Sequence, residues 1–200
     1  MRNSIKISSL ITALLLAVLF SPTTQAQVLP KFGVKGGLNY STFNSSDDGA
    51  DDIEFKTGFL VGAFVDIPIP ATPVSVQPEV LYAKYGANLK DTDISIDMNY
   101  LQIPVLLKFG FPTPAASPNV FFGPYMGFNM KSEVKVNDIS ANADDYVEDT
   151  DFGVVVGAGI DITKIRVALR YTAGLTNIAK SSPNVDYKNG AFALTVGISF

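Results

Sequence analysis

The sequence predicts an all-β fold: an eight-stranded antiparallel up-and-down transmembrane β-barrel. Three observations lead there. Eight segments of ten to twelve residues alternate between a large apolar face and a small or charged one. Their aromatic residues fall near two levels. An export signal precedes them all. Strands of globular proteins are commonly about 5–6 residues long, whereas membrane-spanning strands need roughly 9–11.

Residues 1–26 read as a cleaved signal peptide. Arg2 and Lys6 form a basic start, "LITALLLAVLF" (10–20) an apolar core, and Thr24 and Ala26 the small residues of a cleavage site. The apolar run has eleven residues, short of the roughly 20 that a spanning helix requires. The remaining domain, 27–200, is expected to be the barrel. Cleavage removes two of the 15 basic residues, moving the formal charge from −4 to −6. An acidic chain of this kind excludes nucleic acid as a partner.

The first segment, 32–41, sets Phe32, Val34, Leu38 and Tyr40 against Gly33, Lys35, Gly37, Asn39 and Ser41. The second, 57–66, puts Phe59 on the apolar face and Asp66 on the other. In the third, 74–85, Val76, Pro78, Val80 and Tyr82 face lipid while Gln77, Glu79 and Leu81 face the lumen. Pro78 lacks an N–H, so a bulge or irregular pairing is expected beside it. The fourth, 99–109, carries Phe109 outward and Tyr100, Gln102 and Lys108 inward. The fifth, 119–130, shows Phe122 and Phe128 outside, and the sixth, 151–162, has Phe152 outside and Asp161 inside. The seventh, 165–174, splits Ile165, Val167, Leu169 and Tyr171 from Arg166, Ala168, Arg170 and Thr172. The eighth, 190–200, sets Phe192, Leu194, Val196, Ile198 and Phe200 against Ala191, Ala193, Thr195, Gly197 and Ser199.

Alternation alone does not say which face is inside, and a soluble barrel alternates too. The aromatic residues decide. With a periplasmic N-terminus, Tyr40, Phe59, Tyr82, Phe128, Phe152, Tyr171 and Phe192 fall at the outer level. Phe32, Phe109, Phe122 and Phe200 fall at the periplasmic level. Two such girdles are what a bilayer selects. The connections 42–56, 86–98, 131–150 and 175–189 are long and polar, while 67–73, 110–118 and 163–164 are short. That asymmetry places both termini in the periplasm.

The inward faces bring together Lys35, Asp66, Glu79, Lys108, Asp161, Arg166 and Arg170. Eight strands enclose an interior that side chains just fill, so these charges are expected to satisfy one another rather than line a wide pore. Glu79 is expected to meet Arg170 or Lys35, and the other four to form a lower cluster. The alternative is a gated polar path.

The absences narrow the chemistry. The chain has no Cys, so no disulfide supports it, and no His, which removes His-based triads, metal sites and proton shuttles. "GVKGG" and "VVGAGI" are Gly-rich but lie within strand patterns rather than opening helices, so they do not read as nucleotide cradles. The loops carry acidic runs: Asp47, Asp48, Asp51, Asp52 and Glu54 in one, and Glu133, Asp138, Asp144, Asp145, Glu148 and Asp149 in another. Oxygen-rich clusters suit Ca²⁺. "SSDDGADD" lacks the spacing of a dedicated loop, and a solvated face is the simpler reading. No enzyme, cofactor or metal is expected.

Six stretches in order resemble the PorT-type outer-membrane β-barrel family of Gram-negative envelopes: "GVKGGLNYS" (33–41), "QPEVLYAKYG" (77–86), "YLQIPVLLKF" (100–109), "GPYMGF" (123–128), "DFGVVVGAGIDI" (151–162) and "RYTAGLTNI" (170–178). The resemblance spans the mature chain and implies an eight-stranded outer-membrane barrel. It implies little about activity. Phe200, with Ile198 on the same face, resembles the terminal signal by which the barrel-assembly machinery recognises its clients. The expectation is thus a small monomeric barrel in contact with outer-membrane lipids and lipopolysaccharide. Its role would be structural, or carried by surface loops through adhesion or partner contact, with the surface partner unknown. Alternatives are a narrow porin-like channel and a soluble secreted barrel of lipocalin type.

Overall fold

The computed structural model describes residues 29–45, 53–89, 94–111, 113–136, 139–142, 150–176 and 187–200. They form β1 (Lys31–Ser45), β2 (Ile53–Pro68), β3 (Val74–Leu89), β4 (Ile94–Gly110), β5 (Ser117–Val136), β6 (Ile139–Asn142), β7 (Thr150–Ile162), β8 (Ile165–Gly174) and β9 (Tyr187–Ser199). Neighbours pair antiparallel around a ring, β1 to β5, then β7, β8 and β9, and β9 returns to β1. The barrel therefore has eight strands. The four-residue β6 pairs with the far end of β5, outside the ring.

The barrel is apolar outside and polar within. Along β9, Phe192, Leu194, Val196 and Ile198 are exposed while Ala191, Ala193, Thr195 and Ser199 are buried. The third segment follows the same rule: Glu79 and Leu81 are buried, Val80 and Tyr82 exposed. A soluble lipocalin-type barrel needs the reverse, an apolar cavity under a polar exterior, and that alternative is overturned. The aromatic residues at the two levels face outward and touch across strands. Phe59 lies 6.0 Å from Tyr82, and Tyr171 4.6 Å from Phe192, centroid to centroid. Phe109 stacks on Phe122 at 6.2 Å, near the end that carries the termini.

Strand length departs from expectation. Apart from β6, only β8 keeps ten residues; the other barrel strands run to 13–20. Most of the added residues lie at the end away from the termini, where Ser45 pairs with Tyr187, Asn88 with Ser95 and Ile94 with Val136. Beyond the bilayer both faces meet water, so the apolar alternation stops, but the backbone ladder does not. Much of what reads as polar loop in the sequence is hairpin.

At Pro78 the expected disturbance takes the form of irregular pairing. No bulge forms there. The β2–β3 ladder breaks opposite it, between Phe64↔Glu79 and Ile67↔Val76, and resumes in the same register. Two further prolines repeat the pattern. The β3–β4 ladder breaks between Pro78↔Val105 and Leu81↔Gln102, around Pro104. The β4–β5 ladder breaks between Pro104↔Tyr125 and Leu107↔Phe122, around Pro124. A proline withdraws one donor from the ladder without adding a residue, so pairing lapses but register survives. The register shifts that do occur lie higher, between Phe55 and Leu60 and between Asn99 and Tyr100. The ladders of β1 with β2 and β9, and those joining β5, β7, β8 and β9, run unbroken.

Large rings enter the lumen where the paired strand offers glycine. Phe64 is opposite Gly33, Phe121 opposite Gly157 and Tyr125 opposite Gly153. A Cβ at Gly33 would overlap the Phe64 ring. These pairs set how the interior fills. The two-residue link between β7 and β8 puts Thr163 at φ 54°, a left-handed conformation uncommon for a β-branched residue.

Candidate functional site: a charge-filled lumen

Period-2 alternation on a closed wall turns every inward polar residue toward one axis. The seven charged residues singled out in the sequence arrive there in two connected groups.

Glu79 of β3 is the centre of the first. Its side chain has no exposed surface. Glu79 Oε1 accepts from Lys35 Nζ at 2.5 Å and from Gln77 Nε2 at 2.7 Å. Glu79 Oε2 accepts from Arg170 Nη1 at 2.8 Å. Both candidate cations are therefore engaged at once, from β1 and from β8. Three strands on different parts of the wall are tied through one carboxylate.

The second group lies nearer the termini. Arg166 Nη2 donates to Asp66 Oδ2 at 2.7 Å, and Lys108 Nζ to Asp161 Oδ2 at 2.6 Å. Lys108 also stands 3.6 Å from Asp66, and Arg166 Nε 3.7 Å from Asp161. Asn119 Nδ2 donates to Asp161 Oδ1 at 3.2 Å. Gln77 joins the groups: its amide donates to Glu79 while its oxygen accepts from Arg166 Nη1 at 2.9 Å. Phe64 lies between them, with Lys35 Nζ 5.2 Å and Arg166 Cζ 4.6 Å from its ring centroid, both within cation–π range.

Toward the loop-bearing end the lumen turns apolar and aromatic. Leu60, Tyr85, Met98, Tyr100, Ala191 and Ala193 cluster there, and Leu106, Phe121, Tyr125 and Val155 form a second cluster that reaches down to the charges, with Phe121 opposite Lys108. Tyr100 is fully buried, as its parity with Gln102 and Lys108 implies. Tyr85 donates to Gln102 Oε1 at 3.0 Å and Tyr125 to Asp151 Oδ2 at 2.7 Å. Charged side chains below and rings above are buried against one another in the lumen.

Two groups escaped sequence reasoning. Asp97 lies 2.8 Å from Lys56 Nζ and 3.5 Å from Lys84 Nζ. Lys56 and Asp97 sit in stretches that read as loops, so the alternation assigned neither of them a face. The Tyr125–Asp151 bond joins neighbouring strands whose inward parity was open to view; the pair lacked only a reason to be singled out.

At the chain end, Ile198 and Phe200 are exposed on the outer face, and the Phe200 N–H donates to Phe32 O at 2.7 Å. The acidic residues Asp47, Asp48, Asp51, Asp52, Asp138, Asp144, Asp145, Glu148 and Asp149 lie outside the described residues, and the side chains of Glu54 and Glu133 do too. The choice between a solvated face and a Ca²⁺ site in these runs lies outside the described residues as well. Among the described residues no three His, Cys, Asp or Glu side chains gather in a metal-ligating group. The lumen carboxylates Glu79, Asp66 and Asp161 each accept from a cation.

An exposed apolar band, flanking aromatics and a polar lumen describe a bilayer-spanning barrel. The sequence pattern of the outer membrane protein beta-barrel domain matches residues 25–180. The chain belongs to that family. As an outer membrane protein beta-barrel domain, it is an integral outer-membrane protein. Among solved structures it is similar to Neisserial surface protein A, at 15% identity and a TM-score of 0.52, covering 84% of this chain and 97% of that one. It is also similar to Ail, the attachment invasion locus protein of Yersinia pestis, solved with the heparin analogue sucrose octasulfate. There the identity is 15% and the TM-score 0.48, over 86% of this chain and 99% of that one. The outer membrane enzyme PagL follows at 10% identity and a TM-score of 0.48, over 81% and 98%. No curated protein matches the chain.

Proposed function

We propose that this outer-membrane β-barrel is a monomeric anchor that presents surface loops to a partner. The observation that carries this reading is the filled lumen. Salt-bridged side chains at one end and buried rings at the other leave the loops as the part of the molecule free to act. The barrel is then neither a channel nor an enzyme.

Several further assignments belong to the same reading. Residues 1–26 are the cleaved signal peptide, both termini are periplasmic, and the long hairpins face outward beside lipopolysaccharide. Ile198 and Phe200 form the recognition signal for the barrel-assembly machinery. Within the larger family, the order of Gly and aromatic motifs favours the PorT-type branch. The seven lumen charges are structural. The loop acidity favours a cationic partner surface, since the 42–56 segment has five acidic residues against one lysine.

Planar-bilayer recording of the refolded protein tests the anchor against the channel. Absence of stable conductance is expected. Discrete steps in the wild type that change with Glu79→Ala or Arg170→Ala would overturn it. For the loops, cells displaying the protein should adhere to a polylysine-coated surface more than to a heparin-coated one. Replacing the β1–β2 connection with a Gly-Ser turn should abolish the difference.

A further inference from the structure

Between the two charged groups lies a small cavity of about 30 Å³, lined among others by Lys35, Gln77, Lys108, Asp161, Arg166 and Arg170. Its lining is unbalanced. Four cations face one carboxylate. Adding Glu79 and Asp66, which neutralise those cations from the wall, still leaves four positive charges against three negative in the whole network. Of the nearby amides, Gln77 Oε1 already accepts from Arg166, and Asn119 directs its Nδ2 to Asp161.

The donors are also in surplus. Arg166 Nε and Arg170 Nη2 are buried and donate no hydrogen bond among the described residues, Arg166 Nε standing 3.7 Å from Asp161 Oδ2, beyond hydrogen-bond reach. Arg170 is 2% exposed. A buried guanidinium N–H without an acceptor is costly, more so beside three other cations. A net charge of +1 and two orphan donors call for one acceptor of charge −1. Size restricts it further. The cavity holds roughly two water-sized spheres, which suits a halide.

We propose that the lumen binds one small monovalent anion of chloride size, held by Arg166 Nε and Arg170 Nη2 with Lys35 and Lys108 balancing its charge. The ion completes the charge network and belongs to the folded barrel. Asp66 Oδ1 is likewise buried without a partner but does not line the cavity, so a water bridging it to an arginine is the competing occupant.

Two measurements on the refolded full barrel in detergent test this. Crystals grown in bromide should give one anomalous peak in the cavity, touching both arginines. In melting experiments at matched ionic strength, chloride or bromide should raise the Tm by about 2–4 °C over gluconate or sulfate. Arg170→Lys, which keeps the charge beside Glu79 but removes Nη2, should fold and lose the halide dependence. Arg166→Lys should do the same. Bromide peaks on the surface only, or a Tm that follows ionic strength whichever anion is present, would overturn the proposal and leave the cavity to water.

Discussion

Arg170 Nη1 and Glu79 Oε2 meet at 2.8 Å across the lumen, 91 positions apart in sequence. Neither side chain reaches solvent to any useful extent. Two charges taken from water at this cost hold only while paired. Glu79→Ala should therefore lower stability by about 3–5 kcal/mol, since it strands the buried Arg170 and the partly buried Lys35. Urea titration of the refolded barrel checks the value. Replacing Lys35, Glu79 and Arg170 together by methionine should recover most of the loss. A triple variant weaker than Glu79→Ala would mean the network contributes more than mutual neutralisation.

The Gly33–Phe64 pair makes a second prediction. Gly33→Ala forces the Phe64 ring and the Ile198 carbonyl to move, an overpacking change that costs about 1–3 kcal/mol. Gly36, four positions before Tyr40 and on the outer face, meets only Leu60 O at 3.7 Å, so Gly36→Ala should be neutral. Adding Phe64→Leu to Gly33→Ala should restore part of the lost stability, read as a coupling in a double-mutant cycle. Strict additivity would refute the ring overlap as the cause.

Tyr125 donates to a buried Asp151 carboxylate. Tyr125→Phe preserves the ring opposite Gly153 and removes only the donor. A loss of about 1.5–3 kcal/mol is expected, the range for hydrogen bonds to charged groups. Measured denaturation midpoints within error of wild type would show that Asp151 is fully supported by its other interactions.

At the β7–β8 turn, Thr163 has a left-handed backbone that costs a non-glycine residue roughly 1–2 kcal/mol. Asparagine tolerates that region better. Thr163→Asn should slow unfolding in concentrated urea, with no change in the folded spectrum. A faster unfolding rate would mean that the threonine hydroxyl or methyl stabilises the turn more than its backbone strain costs.

The fold was largely legible because a membrane barrel encodes itself twice, in period-2 alternation and in girdle position. Parity was enough to put Lys35, Asp66, Glu79, Lys108, Asp161, Arg166 and Arg170 in the lumen. It could not say that Glu79 holds Lys35 and Arg170 together, because heights on non-adjacent strands depend on the stagger of the closed barrel. The Asp97 cluster was hidden for another reason. Outside the bilayer nothing selects an apolar face, so the hairpin carrying Lys56 and the one carrying Asp97 look like loops. In the sequence Pro78 stands as one anomaly, whereas its meaning depends on Pro104 and Pro124, which become its neighbours only once β3, β4 and β5 are paired.

Those three prolines divide the barrel mechanically. From β5 through β7, β8 and β9 to β1 and β2 the ladders are continuous, and from β2 to β5 each is interrupted at a proline, the β2–β3 ladder a second time between Phe55 and Leu60. A tube with one compliant quadrant does not deform evenly. Under lateral pressure or a change in bilayer thickness it becomes oval, yielding along that quadrant while the opposite arc stays stiff. Amide exchange should expose this as a diagonal stripe of fast protons around Glu79, Leu106 and Gly123. The stripe crosses the same wall from which Glu79 reaches its two cations, so the compliant quadrant is the one that the lumen ties back to β1 and β8.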